Sequence, residues 1–301
     1  MNPSMLTCPV SVIIPTYNRA AFLQRSIKSV DKQSLPCAEI IVVDDGSTDN
    51  SSELISAMKE KSRTPIITIR TENRGVAAAR NLGVNKARYN IISFLDSDDH
   101  WNRKKIEKQY SIFKNQSTHQ ICHTREKWLR RGVHLNQKRK HIPRQGDIFS
   151  HCLELCGVGM STVMMEKELF LKVGGFDESM RCCEDYDLWL RVSSKHDFLL
   201  IDEPLIIKEG GREDQLSCIY RLGMDERRIY SMQKLLDAGE LSPKQYKLAM
   251  LEFERKIKIF AHGCIKHGKP DMGNRYLKLL SLYQSSQQNG QQNVYNLNDN
   301  E

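Results

Sequence analysis

The chain has 301 residues, of which 40% are hydrophobic and 27% are charged, and it contains only 17 Gly and 9 Pro. This composition is typical of a globular protein and excludes collagen-like, coiled-coil and intrinsically disordered chains. The formal net charge of +8 suggests a nucleic acid, an anionic membrane or a phosphorylated small molecule as a partner. However, residues 125–144, here called the basic segment, contain eight Lys or Arg and one Glu. Nearly all of the excess charge therefore lies in this one segment.

The expected cellular compartment is inferred from membrane-spanning stretches, signal peptides and cysteine motifs, which the sequence lacks. No stretch reaches the roughly 18 consecutive apolar residues that span a bilayer. Residues 1–9 lack the basic start and the apolar stretch of a signal peptide. The nine cysteines are odd in number and contain no C-x-x-C pair, which is atypical of disulfide frameworks and zinc knuckles. We therefore expect a reducing, cytoplasmic location, with peripheral contact at the inner face of the membrane.

The first hundred residues alternate short β-branched runs with segments of helical period. The predicted strands are residues 10–15, 39–43, 66–70 and 90–95, and the predicted helices between them are residues 20–32, 50–61 and 76–88. This βαβαβαβ order predicts a parallel, Rossmann-like sheet with helices on its faces. Ligands bind such sheets at the carboxyl ends of the strands.

The rest of the chain is less regular and then becomes helical. The predicted helices of the middle are residues 101–114, 168–173 and 185–194, and its predicted strands are residues 119–124, 161–165, 198–201 and 205–208. Beyond them the predicted helices are residues 215–236, 243–267 and 271–283. We expect a domain over 8–213, with a nucleotide half at about 8–100 and an acceptor half at about 115–213. A helical subdomain at 214–284 and a disordered tail at 285–301 would follow.

Candidate nucleotide-binding residues follow the first two strands. They are Pro15, Thr16, Tyr17 and Asn18 after the first strand, and Asp44 and Asp45 after the second. Tyr17 offers a flat ring on which a base can stack, and Asn18 is a residue type that caps a following helix. The adjacent carboxylates of Asp44 and Asp45 precede a glycine turn, which is partly ordinary turn chemistry. The next acid, Asp49, is equally well explained as a helix cap.

Charged residues follow the third and fourth strands as well. Gly75 opens a helix whose free N–H groups, with Arg80 one turn further on, predict an anion site; the alternative for Arg80 is a solvated helix surface. Asp96, Asp98 and Asp99 follow the fourth strand. Three carboxylates so close together repel one another unless a cation is present, and carboxylate oxygens suit Mg²⁺ or Mn²⁺. Together these motifs predict a pocket for a nucleoside diphosphate.

Four motifs, in order over residues 10–100, carry a resemblance to a known family: P-T-Y-N-R, V-V-D-D-G-S-T-D, N-R-G-V-A-A-A-R-N and F-L-D-S-D-D. They resemble the nucleotide-binding half of family 2 inverting glycosyltransferases, which have the GT-A fold. G-G-F-D-E at 174–178, followed by E-D-Y-D-L-W-L-R at 184–191, resembles the acceptor-side motif of that family. The resemblance covers about residues 8–215. It implies an α/β GT-A fold with a mostly parallel central sheet, to which the C-terminal helical subdomain is an addition.

The resemblance also implies roles for the donor-side residues. Thr16 and Tyr17 would hold the uracil of a UDP-sugar, with Asp45 on the edge of the base. Arg80 would approach the diphosphate. Asp96 would contact the ribose or the metal shell.

On the catalytic side, the resemblance implies that Asp98 ligates the divalent cation. Asp185, beside Glu184, would be the general base that deprotonates the acceptor hydroxyl; the alternative is an acid favoured by the helix dipole. Many relatives place a metal-binding histidine where this chain has Arg212. Arginine cannot ligate a cation, but it can pair with a diphosphate.

We therefore expect an enzyme that moves one hexosyl or N-acetylhexosaminyl group from a UDP-sugar to a glycan or lipid-linked acceptor in cell-surface polysaccharide synthesis. Single-sugar transfer is favoured because the Q-x-x-R-W signature of processive synthases is absent. One alternative is a catalytically inactive nucleotide-sugar-binding protein. Another is a nucleic-acid-binding protein that uses the basic segment, although one basic segment is a thin electrostatic footprint and we expect no nucleic acid. We expect the basic segment to meet an anionic acceptor or the membrane surface, the alternative being a solvated loop.

Overall fold

The computed structural model describes residues 7–115 and 119–298. The chain divides into two compact units, one ending at Arg221 and the other beginning at Leu222. The helical pattern that starts at residue 215 predicts this boundary at 213/214, eight residues earlier.

Four parallel strands form the first half of the sheet, in the order β3-β2-β1-β4. They are β1 (Cys8–Thr16), β2 (Cys37–Asp44), β3 (Ile66–Arg70) and β4 (Ile91–Phe94). The crossover helices are α1 (Ala20–Asp31), α2 (Ser51–Lys61) and α3 (Val76–Lys86). The predicted parallel arrangement is confirmed. It forms because both faces of β1 and β2 are apolar and are covered by helices.

Helix α1 shows how the sequence pattern becomes packing. Its Leu23, Ile27 and Val30 recur at helical spacing and are fully buried. They join Val12 and Ile14 of β1 in the hydrophobic core. The polar face of the helix remains in solvent, as expected for an amphipathic crossover helix.

Five further strands continue the sheet beyond β4, in the order β8-β6-β9-β5, with β7 paired to β6. They are β5 (His100–Trp101), β6 (Ile121–Arg130), β7 (Val133–Leu135), β8 (Met164–Glu166) and β9 (Leu199–Gly210). β8 is antiparallel to both neighbours, whereas β6 and β9 are parallel. The sheet is thus parallel in its first half and mixed in its second.

Three elements of this second half differ from the prediction. The predicted strands 198–201 and 205–208 are one continuous strand, β9, because an irregular register opposite Arg125 accommodates Pro204. The predicted strand 161–165 is a 3₁₀ turn, Met160–Thr162, followed by β8. The helix predicted at 101–114 starts only at Lys105, since Trp101 pairs with Ile206 in the sheet.

The remaining helices of the first unit are short. They are α4 (Lys105–Asn115), α5 (Phe149–Glu154), α6 (Lys167–Lys172), α7 (Glu184–Ser193) and α8 (Leu216–Ile219). In the part of the chain that the structure describes, no helix combines the length and the apolar character that crossing a bilayer requires.

The second unit consists of α9 (Met224–Asp237), α10 (Pro243–Lys266) and α11 (Pro270–Asn298). α10 begins with a capping box between Ser242 and Gln245. The predicted helix 215–236 is broken into α8 and α9. The backbone is helical to Asn298 where the sequence analysis expects a disordered tail from residue 285; glutamine, frequent there, is a good helix former. Residues 299–301 of that predicted tail lie outside the described residues.

Candidate active site

Two loops at the carboxyl edge of the sheet are joined by Asn18 and Asp49. Asn18, with φ of +50°, accepts a hydrogen bond from the Thr48 amide at 2.7 Å. Asp49 accepts from the Ala20 amide at 3.1 Å and from the Ser51 amide at 3.0 Å, and so caps both α1 and α2. The prediction that Asn18 caps α1 is therefore wrong. Burial alone would raise the pKa of Asp49, but hydrogen bonds from Ser51 and Ala20 outweigh it and lower that pKa.

The ends of β1 and β2 present two polar atoms without hydrogen-bond partners, one of which, Oδ2 of Asp44, lies 3.8 Å from Nη1 of Arg70. Thr16 and Asp44 face each other in the strand register and both are buried. Asp44 uses Oδ1 to accept from the Ser47 amide at 2.8 Å. Within the described residues, its Oδ2 and the Thr16 hydroxyl have no hydrogen-bond partner. Because unsatisfied buried polar atoms are costly, this pair is suited to a polar ligand.

Beside this pair lie the other residues predicted after β1. The Pro15 side chain is buried in the sheet, so it contributes shape rather than a polar contact. The ring of Tyr17 is 45% exposed and is free to stack on a flat ligand.

The start of α3 is already occupied by a carboxylate of the chain itself. Asp45 accepts hydrogen bonds from the amides of Arg74 and Gly75, each at 2.8 Å. The expectation that these N–H groups are free for a ligand anion is wrong, because Asp45 supplies the anion that a helix start favours. Gly75 has φ of +96°, and a Cβ at this position would lie 3.0 Å from an Arg181 side-chain nitrogen. The positive φ, which residues with a Cβ rarely adopt, thus accounts for the glycine, since the Arg181 side chain could move.

Arg80 connects the donor-side motifs of residues 10–100 with the acceptor-side motif of residues 174–191. Its buried guanidinium donates through Nη2 to Oδ1 of Asp96 at 2.7 Å and through Nη1 to Oε1 of Glu184 at 2.5 Å. Burial raises the pKa of Glu184, while the charge of Arg80 opposes that shift. Asp96 follows β4, and Glu184 begins α7, so one side chain of α3 holds the donor-side and acceptor-side motifs together. The predicted contact of Arg80 with a diphosphate stays a prediction.

A second contact ties α3 to the acceptor side. The Asn81 side chain donates to the Phe176 carbonyl at 2.9 Å and accepts from the Phe176 amide at 3.0 Å. On the surface, Arg74 pairs with Glu178 at 2.7 Å. These contacts bring N-R-G-V-A-A-A-R-N and G-G-F-D-E together.

Sequence reasoning missed Ser161 and Lys208. The Ser161 hydroxyl donates to Asp99 at 2.7 Å and accepts from the Asp96 amide at 3.1 Å. Burial raises the pKa of Asp99 well above its ordinary value. Lys208 has Nζ 3.9 Å from Oε1 of Glu126, and the charges of Glu126 and then Asp99 raise its pKa. Lys208 is the final residue of the last predicted strand, 205–208, and this position at a strand end is the signal that could have identified it.

Arg212 lies against the loop of residues 96–99, here called the D-x-D loop. Its Nη2 is 2.5 Å from Oδ2 of Asp98, and its Nε is 3.1 Å from Oδ1 of Asp214. The guanidinium also covers the ring of Phe22, 4.2 Å from the centroid. This arrangement places a fixed positive charge beside the predicted metal ligand.

The carboxylates of Asp96 and Asp98 each have one oxygen on an arginine, which leaves one oxygen apiece for another ligand. Across residues 7–115 and 119–298, no cluster of three or more His, Cys, Asp or Glu side chains is arranged to hold a metal ion. Mg²⁺ in proteins commonly takes one or two carboxylates and completes its shell with substrate phosphates and water. The donor set therefore fits an ion that arrives together with a diphosphate.

Asp185 is the second residue of α7 and differs from its neighbours in its surroundings. Glu184 is held by Arg80, and Asp187 is paired with Arg191 at 2.7 Å. Asp185 is half-buried, accepts from the amide of Tyr186 and faces Cys156. Burial and then the charge of Asp185 raise the pKa of the Cys156 thiol. Of the three acids, Asp185 alone has no arginine partner among the described residues that the structure records.

The sequence of this site matches a known family. Residues 11–174 match the family model described as glycosyl transferase family 2. The chain belongs to glycosyl transferase family 2. It is 30% identical over 187 residues to TuaG of Bacillus subtilis, named as a teichuronic acid biosynthesis glycosyltransferase, covering 62% of this chain and 72% of TuaG.

Among longer relatives, the chain is 38% identical over 202 residues to an uncharacterized glycosyltransferase of Rickettsia felis, covering 65% of this chain and 32% of that protein. The chain thus spans about a third of the length of such relatives. Solved structures show the same fold at low identity. TarS of S. aureus superimposes with a TM-score of 0.62 at 18% identity, over 83% of this chain and 72% of that one.

The fold also resembles the mannosyltransferase PcManGT of Pyrobaculum calidifontis, solved with GDP-Man and Mn²⁺. The TM-score is 0.61 at 16% identity, over 93% of this chain and 80% of that chain. TarS has in addition been solved with UDP-GlcNAc. The predicted family and GT-A fold are both confirmed.

Proposed function

We propose that this family 2 chain is an inverting glycosyltransferase that moves one hexosyl or N-acetylhexosaminyl group from a UDP-sugar to an acceptor hydroxyl. The observation that carries this proposal is the bridge that Arg80 makes between Asp96 and Glu184. It brings the D-x-D loop, suited to a nucleotide diphosphate, next to Asp185, suited to a general base.

The donor nucleotide is bound at the ends of β1 and β2. The exposed ring of Tyr17 stacks on the base. The Thr16 hydroxyl donates a hydrogen bond to the polar groups of the base and the ribose or accepts one from them, and Oδ2 of Asp44 accepts one. Asp45 supports this pocket indirectly, because it fixes the start of α3. Related structures have been solved with UDP-GlcNAc and with GDP-Man. UDP is favoured here by the match of the residues after β1 to the family motif.

A divalent cation, Mg²⁺ or Mn²⁺, would be held by Asp96 and Asp98, each of which has one carboxylate oxygen that is not bound to an arginine. When bound, such an ion stabilises the negative charge of the departing diphosphate. Arg212 adds a second positive charge at the same place, since its guanidinium is fixed on Asp98.

Asp185 acts as the general base. It accepts the proton of the acceptor hydroxyl while the hydroxyl oxygen forms a bond to C1 of the sugar and the C1–O bond to UDP breaks. Attack from the face opposite UDP inverts the anomeric centre through an oxocarbenium-like transition state, as in glycoside hydrolysis. Glu184 does not take this role because its carboxylate is bound to Arg80.

The acceptor is a glycan or a lipid-linked glycan, and the reaction contributes to cell-surface polysaccharide at the inner face of the membrane. The name of TuaG supports the polysaccharide assignment. An anionic acceptor at that face would be complementary to the positive charge of the basic segment.

The test is a screen of the whole chain against UDP-, GDP- and dTDP-sugars, with and without Mn²⁺, by thermal shift and by release of free nucleotide. A ligand at 100 times its Kd stabilises a protein by about 2.7 kcal/mol. We expect UDP-sugars to shift the midpoint and to be slowly hydrolysed. Binding without any turnover would instead indicate an inactive nucleotide-sugar-binding protein, and the absence of binding to all three nucleotides would refute the proposal.

A further inference from the structure

The basic segment forms an ordered arm. It comprises the end of β6, a two-residue turn at Arg131 and Gly132, strand β7 and a 3₁₀ turn, Arg139–His141. Both turn residues have positive φ, as a tight type I′ hairpin requires. The ring of Trp128 packs on His141 with centroids 5.2 Å apart, so the far end of the segment is held against the strand. The alternative of a solvated loop does not describe this arm.

Most positive charges of the arm are uncompensated; Arg125 is an exception, since it pairs with Asp202. Six exposed cations lie between residues 127 and 140 of the arm: Lys127, Arg130, Arg131, Lys138, Arg139 and Lys140. Within the described part of the chain, none of the six is recorded in an ion pair with a carboxylate. The acid of the segment, Glu126, has a side chain only 9% exposed, accepts from the Trp128 indole and lies toward Lys208. The exposed surface between residues 127 and 140 is therefore cationic.

Aliphatic side chains stand among these cations. Val133, directly after the hairpin turn, is 70% exposed, and Leu135 and Ile142 are 42% and 41% exposed. A cationic surface that also projects aliphatic side chains is the composition of proteins that bind at the interface of anionic membranes. Exposure to solvent alone does not explain why three aliphatic side chains lie on the surface of one arm.

We infer that the basic segment is a membrane-binding arm, in which Val133, Leu135 and Ile142 enter the headgroup region of an anionic bilayer. The six cations lie against lipid phosphates. A nucleic acid is disfavoured because single strands bind through aromatic stacking, and the Trp128 ring is already packed on His141. The inference rests on the proposed function in one respect, namely that the membrane would carry the acceptor of the reaction. The binding of the arm to the bilayer does not depend on that function.

The test uses the whole chain and vesicles of phosphatidylglycerol and phosphatidylcholine, with pure phosphatidylcholine vesicles as the neutral comparison. Binding is measured by co-sedimentation at low and high salt, without any sugar donor. The first variant is Lys138→Gln with Arg139→Gln and Lys140→Gln. The second is Val133→Thr with Leu135→Thr, which keeps the charge and the β-propensity. The matched control is Lys59→Gln with Lys61→Gln and Lys172→Gln, which removes three exposed cations elsewhere.

We expect binding to anionic vesicles only. The triple arm variant should weaken it about a hundredfold and the Val133/Leu135 variant about tenfold, while the control variant should remain within about threefold. Equal binding to neutral vesicles, or equal loss in the control variant, would overturn the inference. Binding of a soluble anionic polysaccharide without binding of vesicles would overturn it too, in favour of a glycan. Nucleotide binding, measured on the same variants, tests the proposed function separately and should not change.

Discussion

Arg80 and Glu184, 104 residues apart in the chain, form a buried ion pair in which Nη1 lies 2.5 Å from Oε1. The other η nitrogen of Arg80 is 2.7 Å from Asp96. One cation thus serves two carboxylates, and its loss would leave both without their partner. This side chain thus joins the D-x-D loop directly to the start of α7.

The first prediction concerns the stability that this bridge supplies. Arg80→Met should lower the free energy of unfolding by about 3 to 5 kcal/mol, because removing one partner of a buried ion pair leaves an uncompensated charge. Urea unfolding followed by circular dichroism measures the change. The control is Arg74→Met, whose ion pair with Glu178 is largely exposed and should matter by less than about 1 kcal/mol. An equal loss in the free energy of unfolding for the two variants would contradict a stabilising role for the buried ion pairs of Arg80.

The second prediction concerns the general base. Asp185→Asn should lower the turnover number by about 10² to 10⁴ and leave the Kd for UDP unchanged, since the amide has the same shape but cannot accept the proton. Turnover is measured by released UDP, and binding by calorimetry. Glu60→Gln, an exposed change on α2, should leave both quantities unchanged. Near-normal turnover of the Asp185 variant would assign the base elsewhere.

The third prediction concerns Arg212. Arg212→Ala should weaken UDP binding about 10- to 100-fold, as expected for the loss of charge-assisted hydrogen bonds to a diphosphate. The measurement is calorimetric titration of UDP with and without Mn²⁺. Arg221→Ala, which removes an exposed arginine, should bind UDP like the unaltered chain. An unchanged Kd for the Arg212 variant in both conditions would mean that this arginine only neutralises Asp98.

The fourth prediction is a pH dependence caused by Lys105. This side chain is fully buried, donates to the Ser93 hydroxyl at 3.0 Å and lies 3.8 Å from the centroid of the Trp101 ring. Burial lowers its pKa from 10.5 to about 7. Between these two values the unfolded chain binds a proton that the folded chain does not, so the free energy of unfolding rises with pH. The gain from pH 7 to 8.5 should be roughly 2 kcal/mol.

Lys105→Met should flatten this slope, because it removes the titrating group. Lys114→Met, an exposed change on the same helix, should keep it. Urea unfolding at several pH values makes the comparison, and pH 8.5 is the upper limit because the raised pKa of buried thiols such as Cys37 acts in the opposite direction above it. An identical slope in both variants would contradict the assignment to Lys105.

The nucleotide half could be predicted because local pattern determines it. The strand at 66–70 was predicted to the residue, and α1 ends within one residue of its prediction. The second half was less accessible. β9 depends on a register irregularity opposite Arg125, and β5 on its pairing with Ile206. Such long-range pairing leaves little trace in the local hydrophobic period.

At the candidate site, the sequence indicates residue types but not their partners. The two oxygens of Asp45 hold backbone amides, and Arg80 holds carboxylates from both motif groups. Neither contact follows from spacing, since each joins loops brought together only by the folded sheet. Lys208 was overlooked because its partner, Glu126, lies on a different strand.

Helix α3 carries three of these contacts within two turns: Gly75 holds Asp45, Arg80 holds the two carboxylates, and Asn81 holds Phe176. Consecutive residues of an α-helix are rotated by about 100° around its axis. One residue inserted between Gly75 and Arg80 would therefore swing Arg80 and Asn81 away from all of their partners at once. The number of residues in this stretch is consequently as restricted as their identity.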